Sequence, residues 1–267
     1  MPRTRAAPRV PDVLAQSWFM LVRQARNLMR EPIWIALLLI QPLVWLLLYS
    51  QLFQRVTDLG GFGTDDYKDF FLPGVVVMNA FFAGTWSGMA TITDLDRGVI
   101  ERFLASPVRR SSLIFSQVMR AALQAAIQGL ILLVVGFAIG ARVDAGVLGW
   151  AVILLTAMLI AGGFAGISHG IALLTRKEAT MIAVANFIGL PLMFVSAILI
   201  ARPLMPGWMQ TAAHGNPVDW ATRAAREPAL PGTDWGETLL YLGLLASFVL
   251  ATSAFATWAF RSYQRTL

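Results

Sequence analysis

The sequence predicts an all-α integral membrane protein with six transmembrane helices, and three observations carry that expectation. Hydrophobic residues make up 57% of the 267 positions and charged residues only 13%, which is more apolar content than a soluble core needs. The apolar residues come in six blocks, 33–53, 70–93, 113–141, 147–175, 180–201 and 238–260. Each is long enough to cross a hydrocarbon layer of about 30 Å, which takes about 20 helical residues. Finally, charge is distributed unevenly about these blocks. With both termini in the cytoplasm, the inner segments hold Arg3, Arg5, Arg9, Arg23, Arg26, Arg30, Arg97, Arg102, Arg109, Arg110, Arg120, Arg176, Lys177, Arg261 and Arg265, 15 of the 21 cations. The outer segments hold the other six, against nine of the 15 acids, as the positive-inside rule requires. The pI near 10.5 therefore follows from topology, and no nucleic-acid partner is called for.

Residues 1–31 read as a cytoplasmic tail followed by an amphipathic interfacial helix. Three prolines and three arginines stand in the first 11 positions, too broken for a helix and with no apolar core for a cleaved signal. From Asp12 an apolar stripe appears, Leu14, Trp18, Leu21, Ala25 and Leu28, with Arg23, Arg26 and Arg30 off it. That pattern suits a helix lying in the headgroup layer, with Trp18 and the arginines as its interfacial anchors.

Residues 32–260 form the six-span transmembrane domain, and 261–267 a second cytoplasmic tail. The first span carries Gln41-Pro42, where the proline removes one ladder bond and the glutamine needs a polar partner or a wet cavity. The second holds GTWSG, Gly84 to Gly88, and the fourth GISHG, Gly166 to Gly170. Small residues at this spacing let helices approach closely in lipid. The segment 202–237, with five prolines and Trp208, Trp220 and Trp235, predicts short outer half-helices between the fifth and sixth spans, re-entrant in the outer leaflet.

Between the second and third spans lies a polar island, 94–110, reading DLDRGVIERFLASPVRR. Leu95, Val99 and Phe103 recur at helical spacing, with Asp94, Arg97 and Glu101 on another face. Such a helix is too short to span and would lie along the cytoplasmic surface until Pro107 ends it.

Chemistry of the chain's own is hard to find. The only lysines, Lys68 before an aspartate and Lys177 before a glutamate, do not fit a phosphate-cradling loop. With no cysteine and two distant histidines, no metal site is expected. GISHG fits a serine-nucleophile pattern, which keeps an intramembrane serine protease in view. However, the pattern has meaning on a strand-to-helix turn, and His169 points about 100° round the helix from Ser168.

Taken in order, these parts resemble the type-2 ABC transporter permeases, in particular the daunorubicin-resistance-like exporters. The resemblance is carried by REPIWIALLLIQPLVWLLLY (Arg30 to Tyr49), IERFLASPVRRSSLIFSQV (Ile100 to Val118) and PLMPGWMQTAAHGNPVDWATRAAR (Pro203 to Arg226). It implies a permease subunit without catalytic residues, paired with a second permease chain, by default an identical one. Two separate ATPase subunits would bind the ATP and magnesium. It implies that Glu101, Phe103, Ser106, Pro107, Arg109 and Arg110, flanked by Asp94, Arg97 and Arg102, are the coupling helix an ATPase grips. It makes Gln41, Trp45, Asn186 and Phe194 candidates for the substrate pathway, and Trp208, Asn216 and Pro217 candidates for the outer gate. Arg102-Phe103 departs from the smaller aliphatic residues of many relatives, which implies a groove tailored to it. The expected setting is a bacterial plasma membrane, and the expected cargo a hydrophobic or amphipathic drug, lipid or lipid-linked glycan. Beside the exporter stands a second reading, a membrane sensor or immunity module whose island docks a signalling partner without transport.

Overall fold

The computed structural model describes residues 32–98 and 110–264, and among these every regular element is helical. The main helices are α1 (Pro32–Leu52), α2 (Tyr67–Trp86), α3 (Gly88–Asp96), α4 (Arg110–Ala138), α5 (Gly146–Thr175), α6 (Glu178–Val184), α7 (Leu190–Phe194), α8 (Gly207–Ala213), α9 (Pro217–Arg226) and α10 (Trp235–Gln264). Among the described residues four stretches, Tyr67–Asp96, Ile114–Ala138, Gly146–Thr175 and Trp235–Gln264, are long and apolar enough to cross a membrane. The apolar helices Leu37–Leu52 and Glu178–Phe194 are shorter. The interfacial residues Trp18, Arg23, Arg26 and Arg30, and most of the polar island, lie outside the described residues. The end of the bundle nearest 94–98 is the island end; the opposite end is the far end.

Helix α2 sits at the centre. Asp66 caps it by accepting the Lys68 N–H at 3.0 Å, and Phe71, Val75, Val76, Val77, Ala80 and Phe81 are wholly buried. It is flanked by α4, α5 and α1, the last through a narrow face of Leu39, Leu46 and Ser50. The remaining faces of α1 are bare, with Ile40, Leu48 and Leu52 more than half exposed. Exposed apolar faces of this kind suit a lipid solvent or an apolar partner rather than water.

Close approach replaces large side chains where α5 crosses its neighbours. A Cβ on Gly84 of α2 would stand 2.4 Å from the Ala161 carbonyl oxygen, and one on Gly166 would stand 2.8 Å from the Thr252 backbone of α10. Both sequence motifs rich in glycine are therefore inside the bundle, where backbone meets backbone.

Two expectations are corrected. The fifth apolar block, 180–201, does not form one helix. It runs as α6, a π-turn over Ala185–Gly189, the short α7, and a non-helical run over 195–201. An α-helix would drive the Pro191 ring into the carbonyl four residues earlier, and a wider turn relieves that clash. The polar island is also not one helix from Asp94 onward. Helix α3 ends at Asp96, and Gly98 sits at φ +64°, a left-handed position that glycine adopts without steric cost and that turns the chain.

Candidate functional site

At the far end, the non-helical run 195–201 has left the helical ladder, so its backbone groups need other partners. Helix α9 supplies them. Asn216 stands in extended backbone ahead of Pro217, accepts the Val218 N–H at 2.9 Å, and donates through its amide to the Leu192 carbonyl at 2.7 Å. Pro217 fits as the first helical residue because its missing N–H would have had no partner there. One turn on, Asp219, 1% exposed, accepts the Ala197 N–H at 2.9 Å. Arg226, two turns further, spreads its guanidinium over three carbonyls: Phe70 at 3.2 Å, Ala197 at 2.7 Å and Ile198 at 3.1 Å. It also lies 3.5 Å from the centre of the Phe70 ring. Tyr67 donates to the Leu199 carbonyl at 2.8 Å. The run is thus clamped between α2 and α9 by four side chains, all serving its backbone or its flank.

The charges in this clamp are partly balanced. Asp219 faces Arg202 at 3.6 Å and Arg223 at 3.4 Å, and Arg223 also donates to Glu237 at 2.9 Å and to the Tyr241 hydroxyl. Burial pushes the Asp219 carboxyl above the usual range, while the Ala197 N–H and the Arg226 charge pull against it. Burial brings Arg226 down to about 9, which leaves it charged at neutral pH. Aromatic rings extend the clamp sideways: Trp45 stacks on Tyr49 at 4.6 Å, Tyr49 approaches Phe71 at 5.9 Å, and Phe71 stacks on Tyr67 at 5.3 Å.

The residues named for the pathway fall on two exposed faces. Gln41 lies on the open side of α1, and Trp45, one turn on, is half-buried at the start of the aromatic stack. On the fifth segment Asn186 is exposed and donates to the Ile182 carbonyl at 3.0 Å, and Phe194 is 56% exposed. Both elements flank α2. Phe187, 82% exposed on the same π-turn as Asn186, is the most exposed aromatic of this group; it went unremarked because it is one apolar residue in an apolar block. Trp208, named for the gate, points outward at 66% exposure, whereas Asn216 is buried at 2%.

At the island end, Asp94 is half-buried and Arg97 exposed, and Arg110 opens α4. Glu101, Arg102, Phe103, Ser106, Pro107 and Arg109 lie outside the described residues. Just inside this end the helical hydrogen-bond ladder is interrupted between α2 and α3 at Ser87, whose backbone stays in the right-handed helical region (φ −60°, ψ −28°), and α5 bridges the gap in the ladder. Ser168 donates to the Thr85 carbonyl at 2.6 Å and accepts the Gly88 N–H at 2.9 Å. His169 pairs through Nδ1 with the Thr91 hydroxyl at 2.6 Å. Ser168 is therefore engaged on both its donor and acceptor sides, and His169 serves a threonine, so the pair has the geometry of a helix staple. A nucleophile needs its base at its own hydroxyl.

Asp219 and Arg226 are the functional candidates that sequence reasoning passed over. Their i, i+4, i+7 spacing with Arg223 after an Asn-Pro start marks one polar helix face, and that signal was present in the chain.

The comparisons with known proteins agree with one another. A family model described as ABC-2 type transporter matches residues 15–230. The chain is 26% identical over 198 residues to the daunorubicin resistance ABC transporter permease protein DrrB1 of Streptomyces coeruleorubidus, covering 73% of this chain and 68% of that protein. It is 30% identical over 217 residues to the transport permease ycf38 of Cyanophora paradoxa, covering 79% and 73%.

Proposed function

The chain belongs to the ABC-2 type transporter family, as a transmembrane subunit, and from that premise we propose that it is the permease half of an ATP-driven exporter with six spans. Separate ATPase subunits bind ATP and magnesium and grip the stretch 94–110 from the cytoplasm. Two permease chains, identical by default, face each other across the bare sides of α1 and the fifth segment. The observation that carries this reading is the island itself: 17 residues dense in charge, between two apolar segments, in a chain with no phosphate loop of its own. A polar segment at a membrane boundary is suited to receiving a mechanical stroke that the chain cannot generate.

The cargo is a hydrophobic or amphipathic compound that enters from the inner leaflet or cytoplasm and leaves past the far end. The exposed apolar and aromatic faces that carry Trp45, Phe187 and Phe194 support this class, as does the drug-resistance name of one relative. Asn186 and Gln41 are the polar points along that route. Asn216, Pro217 and Trp208 belong to the outer gate, which the clamp on 195–201 holds in place. The setting is a bacterial plasma membrane with both termini inside.

Reconstitution with the cognate ATPase tests the reading. Glu101→Ala and Phe103→Ala are each expected to leave both proteins folded, weaken their association, and cut drug-stimulated ATP turnover and export together. If association, turnover and export are all unchanged in both variants, the island is not the ATPase handle.

A further inference from the structure

The second and fifth apolar segments each carry an irregular turn in an otherwise helical backbone, and the two irregularities lie at the same level. Helix α2 breaks from α3 at Ser87, and the π-turn Ala185–Gly189 separates α6 from α7. A Cβ on Gly189 would meet the Phe81 ring at 3.5 Å and the Thr85 methyl at 4.0 Å, so the π-turn rests against the last turns of α2, directly above the Ser87 break. Below this level the packing changes. The main core ends, and a separate small cluster takes over, made of Ile92 from α3, Met181 from α6 and Ala172 from α5, edged by Met89 and Ile171. The inner pieces of two segments far apart in sequence thus meet in one small cluster against α5, and each is joined to its outer piece through an irregular helical turn, Ser87 (φ −60°, ψ −28°) in one and the π-turn in the other.

We propose that α3 and α6 move as one rigid unit, hinged at Ser87 and at the π-turn, and that this unit carries the stroke received by the polar island to the exposed Asn186–Phe187 face. The inference rests on the reading of 94–110 as the ATPase handle, because α3 runs directly into that stretch. The fulcrum is the crossing of α5. A Cβ on Gly88 would lie 2.5 Å from both the Ser168 carbonyl and hydroxyl oxygens, so α3 and α5 meet there with no room for a side chain, and the Ser168 hydroxyl satisfies the Gly88 N–H and the Thr85 carbonyl on either side of Ser87. A side-chain hydroxyl can keep both bonds while the helices rotate about it, which a continuous backbone ladder cannot do. One turn below the fulcrum, the Thr91–His169 bond of 2.6 Å ties the unit to α5 in the present state. Ala172 is the one α5 residue of the buried cluster, a small side chain over which Ile92 and Met181 can slide.

The chain has no cysteine, so spin labels can be placed at will on the full-length protein. Arg97→Cys, Glu178→Cys and Arg261→Cys report the ends of α3, α6 and α10, and all three positions are exposed. Pairs of these labels in the full chain, diluted with unlabelled chain in lipid vesicles, give distances by electron–electron double resonance. The 97–178 distance is expected to be narrow and constant. The 97–261 and 178–261 distances are expected to broaden together in Thr91→Val, without any ATPase present. Adding the cognate ATPase with non-hydrolysable ATP should shift both by about 2 Å or more. A 97–178 distance as broad as the other two, or a Thr91→Val variant that changes neither or only one of them, overturns the unit. Correlated broadening in Thr91→Val with no response to the ATPase in the 178–261 pair, which keeps Arg97, upholds the unit and counts instead against the coupling reading, so the two failures are distinguishable.

Discussion

Replacing Arg226 by methionine removes the guanidinium that holds the unwound run 195–201 while keeping an apolar side chain of similar length. Three carbonyls, those of Phe70, Ala197 and Ile198, lose their donor, and Asp219 loses a nearby positive charge. Each buried carbonyl left unpaired costs about 1–3 kcal/mol. The three are not independent, because two belong to one short run that can shift as a whole and admit water. A total of about 3–5 kcal/mol is therefore expected, the range for breaking a buried charged pair. That corresponds to a drop in melting temperature on the order of 10 °C, measurable by dye-based unfolding in detergent. Arg226→Lys keeps the charge but cannot span three acceptors in a fixed fork, so it should fall between the two. The local effect can be separated from the global one. Ile198 is fully buried, and a single Ile198→Cys in the cysteine-free chain should react with a membrane-impermeant maleimide only when Arg226 is also replaced. An Arg226→Met protein that melts within about 2 °C of the parent, with that thiol still protected, would refute the clamp.

Other outcomes follow from neighbouring geometry. Ser168→Ala leaves the Gly88 N–H and Thr85 carbonyl unpaired at the break and should cost about 1–3 kcal/mol in thermal unfolding; a serine-reactive fluorophosphonate should label neither the parent nor the variant. Gly84→Ala puts a methyl against the Ala161 backbone at 2.4 Å, where nothing flexible can yield, and should destabilise by about 2 kcal/mol or more, whereas Gly207→Ala, with nothing within 4 Å, should change melting little. Asn216→Ala loses the α9 cap and the bond to Leu192 and should cost about 1–2 kcal/mol. Asn216→Asp keeps the cap but cannot donate to Leu192, so it should cost less than Asn216→Ala; its own loss relative to the parent reports the Leu192 bond, and the further loss in Asn216→Ala reports the cap.

The reach of the sequence can be judged residue by residue. Membrane class and the apolar blocks were readable because hydrocarbon imposes one demand, that every backbone group bond within its segment, and long apolar runs meet it in a single way. The Asn216-Pro217 pair drew notice only as a gate candidate implied by the family resemblance, although its role as the capped start of α9 is local and the two residues alone would have carried it. The breaks at Ser87 and over 185–201 were not readable. An apolar run reports that a segment lies in lipid or protein, and it is silent on whether the ladder inside it is continuous. Pro191 permits a break without requiring one. What stabilises the unwound state is Arg226, 29 residues from one acceptor and 156 from another, and Tyr67, 132 residues from Leu199. No local pattern encodes such partnerships. The inner break is different, because both of its parties stood out in the chain as GTWSG and GISHG. Each had a separate reading, one as packing and the other as a possible nucleophile, and only the fold brings them together. Once Gly88 is seen against Ser168, the serine's hydroxyl has a backbone task on each side. The motif that suggested an enzyme then reads as a staple between α5 and the segment joined to the polar island, and in the proposed mechanism it is the fulcrum of that segment.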